Sequence, residues 1–192
     1  GASVQLLDRL RPDRQRHALA GLGITHLYAT PAQLRLLCDA PGPTLGLAHV
    51  ILGGSKLDAA LRAALGSLAP AARVAEFYGA AEASFVTLTD RDTPEGSVGR
   101  PYPGVTLEIR DAGGTPLPPD ALGEVWVRSP YLCDRYADRR HLPSLKRQGW
   151  LSVGEMGWQD RAGNLFLAGR AGRMVTVADQ NVFPEEIETF LA

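Results

Sequence analysis

The stretch ITHLYATP, residues 24–31, predicts a β-strand that leads directly into an α-helix. Its first five residues form a largely apolar run, which is typical of a buried strand. Thr30 then offers a side-chain oxygen that can cap a helix N-terminus, and Pro31 fits the first helical position. Leu34 and Leu37 follow on one face of that helix. The stretch therefore predicts one strand–helix unit of an α/β fold.

The strand–helix alternation continues beyond this stretch. Further strands are predicted at His49–Leu52, Arg73–Tyr78 and Phe85–Thr89. Ser55 is expected to cap a leucine-rich helix between the first two of them. Strict alternation of strands and helices predicts parallel pairing with right-handed crossovers.

A β-rich pattern replaces this alternation from Gly96 onward, where turn residues separate short apolar runs. Strands are predicted at Val105–Arg110, Glu124–Arg128, Met156–Gln159, Leu165–Ala168 and Met174–Val177. The third and fourth of these are expected to pair as a hairpin. Pro184 is expected to open a C-terminal helix.

The two patterns together predict an α/β fold class. We expect a parallel α/β sheet layer at residues 1–95, followed by a small distorted antiparallel β-barrel subdomain at residues 96–170. Residues 171–192 are expected to form a hinge and the beginning of a further domain.

Composition excludes several classes of protein. The formal charge of −1 over 192 residues gives no electrostatic attraction to nucleic acid, so no nucleic-acid partner is expected. No apolar run reaches the roughly 20 residues that span a bilayer, and no signal peptide is recognisable, so a cytoplasmic protein is expected. Cys38 and Cys133 have no zinc-ligand spacing. The missing initial Met and an end inside a predicted helix suggest a fragment of a longer chain.

The segment Glu76–Glu82, EFYGAAE, places chemistry-bearing residues directly after a predicted parallel strand, where ligands of open sheets bind. Tyr78 can stack on a planar base, Gly79 lets a ligand approach the backbone, and Glu82 can hold a divalent cation. The alternative is a strand end with a buried ring and a solvated glutamate.

A second group of polar residues comprises Glu155 and Arg170, each directly after a glycine. A carboxylate can accept hydrogen bonds from vicinal sugar hydroxyls, and a guanidinium can donate to a phosphate or ribose. The alternative is a surface ion pair, which contributes little to stability.

Seven ordered motifs carry a family resemblance. They are Gly53-Gly54, Tyr78–Glu82, Gly96–Pro101, Gly123–Arg128, Gly154-Glu155, Gly169-Arg170 and Asn181–Glu188. In this order the chain resembles the AMP-forming acyl-adenylating family, which includes acyl-CoA synthetases, aryl-CoA ligases, luciferases and peptide-synthetase adenylation domains.

The resemblance implies a two-step reaction in which a small carboxylic acid attacks ATP and a thiol then displaces AMP. The implied cofactors are ATP/AMP, Mg²⁺ and coenzyme A, with a carrier-protein thiol as the alternative acceptor. The implied site residues are Tyr78 on adenine, Gly79 and Ala80 along the acyl-adenylate, Glu82 as catalytic magnesium ligand, Glu155 and Arg170 on ribose, and Gly53, Gly54 and Phe85 in the acyl pocket.

Departures from the family pattern motivate an alternative function. Ala81 replaces a usual hydroxyl residue, Glu155 a usual Asp, Thr176 a frequent Lys and Asp179 a usual Gly. The family's phosphate-binding loop and its C-terminal lysine have no counterpart among these residues. We therefore expect the 192 residues to be inactive alone, and the alternative is a non-catalytic nucleotide- or acyl-binding module derived from the same family.

Other chemistry is less consistent with the sequence. Ser55 lacks the Gly-x-Ser-x-Gly motif of an α/β hydrolase. The four histidines lack metal-ligand spacing or a paired nucleophile. The basic stretch at residues 135–147 contains interleaved tyrosine and is interpreted as a solvated loop rather than a coenzyme A or nucleic-acid surface.

Overall fold

The computed structural model describes residues 2–6, 11–54, 57–134, 146–177 and 180–184. The chain forms two compact units, Gly1–Glu76 and Phe77–Ala192, and each is described by itself. Within the described ranges, no helix combines the length and apolar character needed to cross a membrane.

The first unit alternates helices and strands as predicted. Its elements are α1 (Pro12–Gly21), β1 (His26–Ala29), α2 (Pro31–Asp39), β2 (His49–Leu52), α3 (Ala59–Leu68) and the first half of β3 (Arg73–Ala80). Strand β1 pairs with β2 in parallel, and β2 pairs in parallel with β3 as far as Glu76. The predicted parallel pairing is therefore confirmed in this unit. Helix α1 is an addition to the predicted elements.

Helix α2 begins as the sequence predicts. The Thr30 hydroxyl accepts a hydrogen bond from the Gln33 backbone N–H at 3.3 Å, and the Gln33 side chain accepts one from the Thr30 N–H at 2.9 Å. This reciprocal capping box satisfies two backbone donors that a helix start leaves without intrahelical partners.

The start of helix α3 differs from the prediction of a Ser55 cap. Asp58 is the N-cap, and its carboxylate accepts a hydrogen bond from the Leu61 N–H at 2.8 Å. This hydrogen bond, with the Arg35 guanidinium as a second contributor, holds the pKa of Asp58 below its usual value. Asp58 directly precedes the first helical residue, which is the position from which a side chain can accept a hydrogen bond from the first turn.

Leucine side chains form the core of the first unit. The leucines of α2 and α3 that point inward pack with apolar residues of β1 and β2. The fully buried members include Leu34, Leu37, Leu61, Leu65 and Leu68. The unit is therefore stabilised mainly by burial of apolar area, at roughly 25 cal/mol per Å².

In the described part of the second unit, the regular secondary structure is almost entirely β-strand. After the second half of β3, its strands are β4 (Ser84–Leu88), β5 (Arg100–Pro101), β6 (Thr106–Arg110), β7 (Gly123–Arg128), β8 (Lys146–Arg147), β9 (Trp150–Gln159), β10 (Leu165–Arg170), β11 (Val175–Val177) and β12 (Gln180–Val182). A single 3₁₀ turn at Ala171–Arg173 follows β10.

Strand β4 departs from the predicted parallel alternation. It runs antiparallel to β3, with Tyr78 opposite Thr87. Only residues 81–83 join the two strands. Such a connection is too short for the crossover that parallel strands need, so the pair forms a hairpin.

The larger sheet of the second unit has the strand order β10-β9-β7-β6, and every pairing is antiparallel. Its inward face packs valine, leucine and isoleucine side chains into one core. The predicted fold class is confirmed: a parallel α/β layer precedes antiparallel β-structure. The short strand β8 also pairs with β9, off this path. Among the described residues β10 and β6 do not pair with each other, so no closed barrel is formed there.

Some predictions fall outside the described residues or are not tested by the structure. The division between the two units falls inside β3, and the boundaries at residues 95 and 170 remain predictions. Outside the described residues lie Ser55, Arg135, Arg139, Arg140, His141, Asp179 and the predicted helix after Pro184.

Candidate functional site

Three of the predicted site residues lie close together in the second unit. Glu155 of β9 and Arg170 of β10 are direct partners in the sheet register, and Arg170 Nε donates to Glu155 Oε1 at 3.2 Å. Tyr78 of β3 lies within the electrostatic influence of both side chains. The structure therefore brings together an aromatic ring, a carboxylate and a guanidinium from three different strands.

The Tyr78 hydroxyl is buried and has no hydrogen-bond partner within the described part of the chain. Burial raises the pKa of Tyr78 well above its usual value, the Glu155 carboxylate raises it further, and the Arg170 guanidinium lowers it. The phenol therefore keeps its proton at neutral pH. A buried hydroxyl without a partner costs free energy, so this side chain is suited to a polar ligand that supplies one.

The two side chains of the Glu155–Arg170 pair differ in their exposure to solvent. The Glu155 side chain is 15% exposed, whereas the Arg170 side chain is 68% exposed. A carboxylate offers about four lone-pair positions and a guanidinium five N–H donors, so each group can take part in several hydrogen bonds. The pair can accept from hydroxyls and donate to an anion at the same place.

A β-bulge places Arg170 opposite Glu155. The register between β9 and β10 shifts between Leu167 and Gly169. Without this shift, Arg170 would pair with Gly154, and its side chain would lie on the opposite face from Glu155. Bulges of this kind are frequent beside functional sites because they redirect a side chain.

The backbone of Gly79 approaches the neighbouring strand closely. The pairing of β3 with β4 shifts register between Tyr78 and Gly79, and a Cβ atom on Gly79 would stand 2.1 Å from the Ser84 carbonyl oxygen. A glycine is therefore required here by the hairpin itself. Ala80 follows, with its methyl group packed against the core of the second unit.

Glu82 lies in the turn between β3 and β4, and its carbonyl oxygen accepts a hydrogen bond from the Cys133 N–H at 2.8 Å. In the part of the chain that the structure describes, no three histidine, cysteine or carboxylate side chains cluster as a metal site. A Mg²⁺ ion commonly uses one or two carboxylates together with substrate phosphates and water. The role of Glu82 as a magnesium ligand therefore remains a prediction.

Phe85 belongs to a chain of aromatic rings in the second unit. Its ring centroid lies 4.7 Å from that of Phe77 and 5.4 Å from that of Tyr102. Aromatic pairs at these distances stabilise one another beyond their buried area. The position of the Phe85 ring is therefore fixed by its neighbours.

Gly53 and Gly54 lie in the first unit, directly after β2. Gly53 is buried, and Gly54 has a φ of +97°, which favours glycine. Their predicted role in an acyl pocket remains a prediction.

A hydrogen-bonded pair beside Glu155 was not among the predicted site residues. Ser152 Oγ donates to Glu124 Oε1 at 2.6 Å and accepts from the Gly154 N–H at 3.1 Å. The sequence contains one indication of this pair, a serine two residues before the glycine that precedes Glu155. The partner carboxylate is distant in sequence, so no local pattern could identify it.

Known proteins resemble this chain in family, in sequence and in structure. The family model described as AMP-binding enzyme matches residues 1–137. YhfT of Bacillus subtilis, an uncharacterized acyl-CoA ligase, is 31% identical over 194 residues, which cover 100% of this chain and 40% of that protein.

Two solved structures are similar in fold and in sequence. The amide bond synthetase McbA of Marinactinospora thermotolerans is 32% identical with a TM-score of 0.83, covering 94% of this chain and 38% of that one. ATP-bound MatB of Rhodopseudomonas palustris is 27% identical with a TM-score of 0.80, covering 96% of this chain and 38% of that one.

The chain thus spans about two fifths of the length of the relatives it matches. The family match covers more than half of the chain, and it agrees with the fold and with the ordered motifs. The chain belongs to the AMP-binding enzyme family of adenylate-forming ligases.

Proposed function

We propose that this chain is part of an ATP-dependent acyl- or aryl-acid ligase. The whole protein would join a small carboxylic acid to AMP, release pyrophosphate, and pass the acyl group to the thiol of coenzyme A. Membership of the family supports the adenylation step, and the name of YhfT supports coenzyme A as acceptor. The single observation that carries the proposal is the convergence of Tyr78, Glu155 and Arg170.

The three convergent residues would bind the nucleoside part of ATP. Tyr78 would stack on adenine, with its buried hydroxyl able to donate to a polar ligand atom. Glu155 would accept from the ribose hydroxyls, and Arg170 would contact the same sugar. The ATP in the MatB structure supports a nucleotide as the ligand of this fold.

The hairpin between β3 and β4 would serve the reacting groups. Glu82 would help to bind Mg²⁺, which neutralises phosphate charge when bound. Gly79 and Ala80 would lie along the acyl-adenylate. For the acid itself, we propose contacts with Gly53, Gly54 and Phe85, as the family resemblance implies. The aromatic neighbours of Phe85 hold its ring in one position, which supports a contact role for this residue.

We also propose that a polypeptide of these 192 residues does not complete adenylation alone. It has no Ser/Thr/Gly-rich loop ending in lysine, which the family uses for the triphosphate. Positioning and charge neutralisation supply most of the catalysis in phosphoryl-group chemistry, so losing the triphosphate contacts removes a major contribution. A cytoplasmic location remains a prediction from the sequence.

The test uses the full-length protein that contains these residues. Pyrophosphate release is measured with a panel of fatty and aromatic acids, and AMP affinity is measured by calorimetry. We expect Glu155→Ala to weaken AMP binding about 10- to 100-fold, the range for hydrogen bonds to a charged group. The matched control is Asp90→Ala, which removes another carboxylate–guanidinium pair, with Arg100 at 2.7 Å, and should leave AMP affinity unchanged.

The outcomes separate the candidate functions. Pyrophosphate release with at least one acid supports the ligase, and a comparison of coenzyme A, a carrier-protein thiol and an amine then identifies the acceptor. The amine is included because McbA is an amide bond synthetase. AMP binding without release for any acid would replace the ligase by the non-catalytic binding module. Equal AMP affinity for Glu155→Ala and the unsubstituted protein would remove Glu155 from the nucleotide site.

A further inference from the structure

The Ser152 hydroxyl bridges the Glu124 carboxylate of β7 and the backbone N–H of Gly154, the residue before Glu155. Ser152 is almost completely buried, at 2% exposure. Its Oγ donates to Glu124 Oε1 at 2.6 Å and accepts from the Gly154 N–H at 3.1 Å. The hydroxyl therefore uses its only hydrogen as a donor and one lone pair as an acceptor.

The segment held by Ser152 is a bulge in β9. One residue separates Glu124 from Trp126 on β7, whereas three residues separate their partners Met156 and Ser152 on β9. Gly154, in the middle of these three residues, has a φ of +78°. The bulged backbone lacks regular ladder pairing with β7 at this point, so the hydrogen bond to Ser152 is a specific restraint on its shape.

Glu124 is itself held in place from the other side. Its Oε2 accepts a hydrogen bond from the Trp126 indole N–H at 3.0 Å, so both carboxylate oxygens are engaged. Trp126 is buried, and the Arg110 guanidinium lies 4.9 Å from its ring centroid. A satisfied network of this kind is rigid, because each group that moves would lose a partner.

We propose that Ser152, held by Glu124, is a positioning residue for Glu155. Glu155 is the last of the three bulge residues. Its carboxylate accepts a hydrogen bond from Arg170 and contributes to the raised pKa of Tyr78. Fixing the Gly154 peptide fixes the direction in which the next side chain leaves the strand. The inference rests on the proposed role of Glu155 as an acceptor for ribose hydroxyls.

The second unit contains a natural control for Ser152. Ser97 is also buried, donates to the Leu165 carbonyl at 2.8 Å and accepts from the Gly99 N–H at 2.9 Å. Both serines thus bond a glycine N–H two residues later. Loss of either hydroxyl should reduce stability similarly, but only Ser152 is next to the bulge that carries Glu155.

The experiment measures AMP affinity by calorimetry and urea unfolding in the full-length protein. We expect Ser152→Ala to weaken AMP binding by about 2- to 10-fold, the range of one neutral hydrogen bond. Ser152→Thr keeps the hydroxyl and should bind AMP about as tightly as the unsubstituted protein. Ser97→Ala should lower stability without changing AMP affinity. Unchanged affinity in Ser152→Ala, or an equal loss in Ser97→Ala, would overturn the inference.

A double-substitution cycle distinguishes this inference from the proposed function. If Ser152 acts through Glu155, the pair Ser152→Ala with Glu155→Ala should bind AMP no more weakly than Glu155→Ala alone. Additive losses would overturn the positioning role while leaving the role of Glu155 intact. No effect of Glu155→Ala would instead overturn the proposed function at this residue.

A second variant keeps the test decisive if Ser152→Ala does not fold. Glu124→Gln preserves the side-chain shape but replaces one acceptor oxygen by a donor, while both Ser152 and Trp126 donate to this group. We expect a loss of AMP affinity that disappears in the Glu155→Ala background. An AMP affinity equal to that of the unsubstituted protein would contradict the positioning role.

Discussion

The two units bury polar side chains to different extents. In the described part of the first unit, Glu76 is the one buried polar side chain, and its carboxylate accepts a hydrogen bond from the Leu57 N–H at 3.1 Å. In the described part of the second unit, the buried polar residues are Thr87, Ser97, Ser152 and Asn164. The first unit is thus held mainly by leucine packing, whereas the second uses internal hydrogen bonds to fix irregular backbone.

This difference matches the distribution of the convergent site residues. Tyr78, Glu155 and Arg170 all lie in the second unit, and each stands beside a shift in strand register. A regular strand offers its side chains only on alternate faces. The register shifts give the second unit additional side-chain directions, and the one in β9 is held by the buried Ser152.

The largest effect is expected from a cavity in the first unit. Leu34 and Leu36 both belong to α2, but Leu34 is 0% exposed and Leu36 is 57% exposed. We expect Leu34→Ala to lower the free energy of unfolding by about 2–5 kcal/mol and Leu36→Ala by less than about 0.5 kcal/mol. Urea unfolding monitored by hydrogen exchange in α2 measures both. Similar losses in the two variants would contradict the burial-dominated description of this unit.

A smaller change in the free energy of unfolding is expected when a glycine is replaced by alanine, and its sign differs between Gly79 in the second unit and Gly66 in the first. In Gly79→Ala the new methyl group would meet the Ser84 carbonyl oxygen, so we expect a loss of about 1–3 kcal/mol. Gly66 lies inside α3 with open space around it, so Gly66→Ala should gain about 1 kcal/mol through helix propensity. Urea unfolding gives both values, and a stabilising Gly79→Ala would refute the close approach of β3 and β4.

The smallest effect concerns acid and the turn between β9 and β10. The hydrogen bond from the Asn164 side-chain amide holds the pKa of Asp160 below its usual value, and backbone N–H groups contribute further. A depressed pKa means that the stabilisation is complete above the unfolded value of about 3.9 and is lost as pH falls through the folded value.

The measurement compares the unsubstituted protein with Asp160→Asn from pH 7 down to pH 2. We expect the protein with Asp160 to be the more stable at pH 7, and the difference to shrink below about pH 4. A difference that stays constant over this range would show that the charge of Asp160 does not contribute.

The sequence predicts the elements of the first unit well because burial there follows helical and strand periodicity. Thr30 and Pro31 mark the start of α2 at the observed residue, and His49–Leu52 is found as predicted. The prediction of a Ser55 cap for α3 is wrong, because both serine and aspartate can cap helices and only the backbone geometry selects Asp58. The prediction of parallel pairing is wrong for β4, because the three residues between β3 and β4 permit only a hairpin.

The candidate site could be predicted as a set of residues but not as a geometry. The resemblance to the family pointed to Tyr78, Glu155 and Arg170 from their motifs, and the structure places them close together. The network of Ser152 and Glu124 joins residues that are 28 positions apart, which no local pattern reveals. The register shifts depend on single residues, to which hydrophobic periodicity is insensitive.

The bulge in β10 makes the spacing of its residues as important as their chemistry. Side-chain replacements at residues 165–168 leave the Arg170 guanidinium beside its carboxylate partner Glu155, but removing one residue there would turn the guanidinium to the opposite face of the sheet. Engineering of this segment should therefore keep the number of residues constant, whichever side chains are chosen.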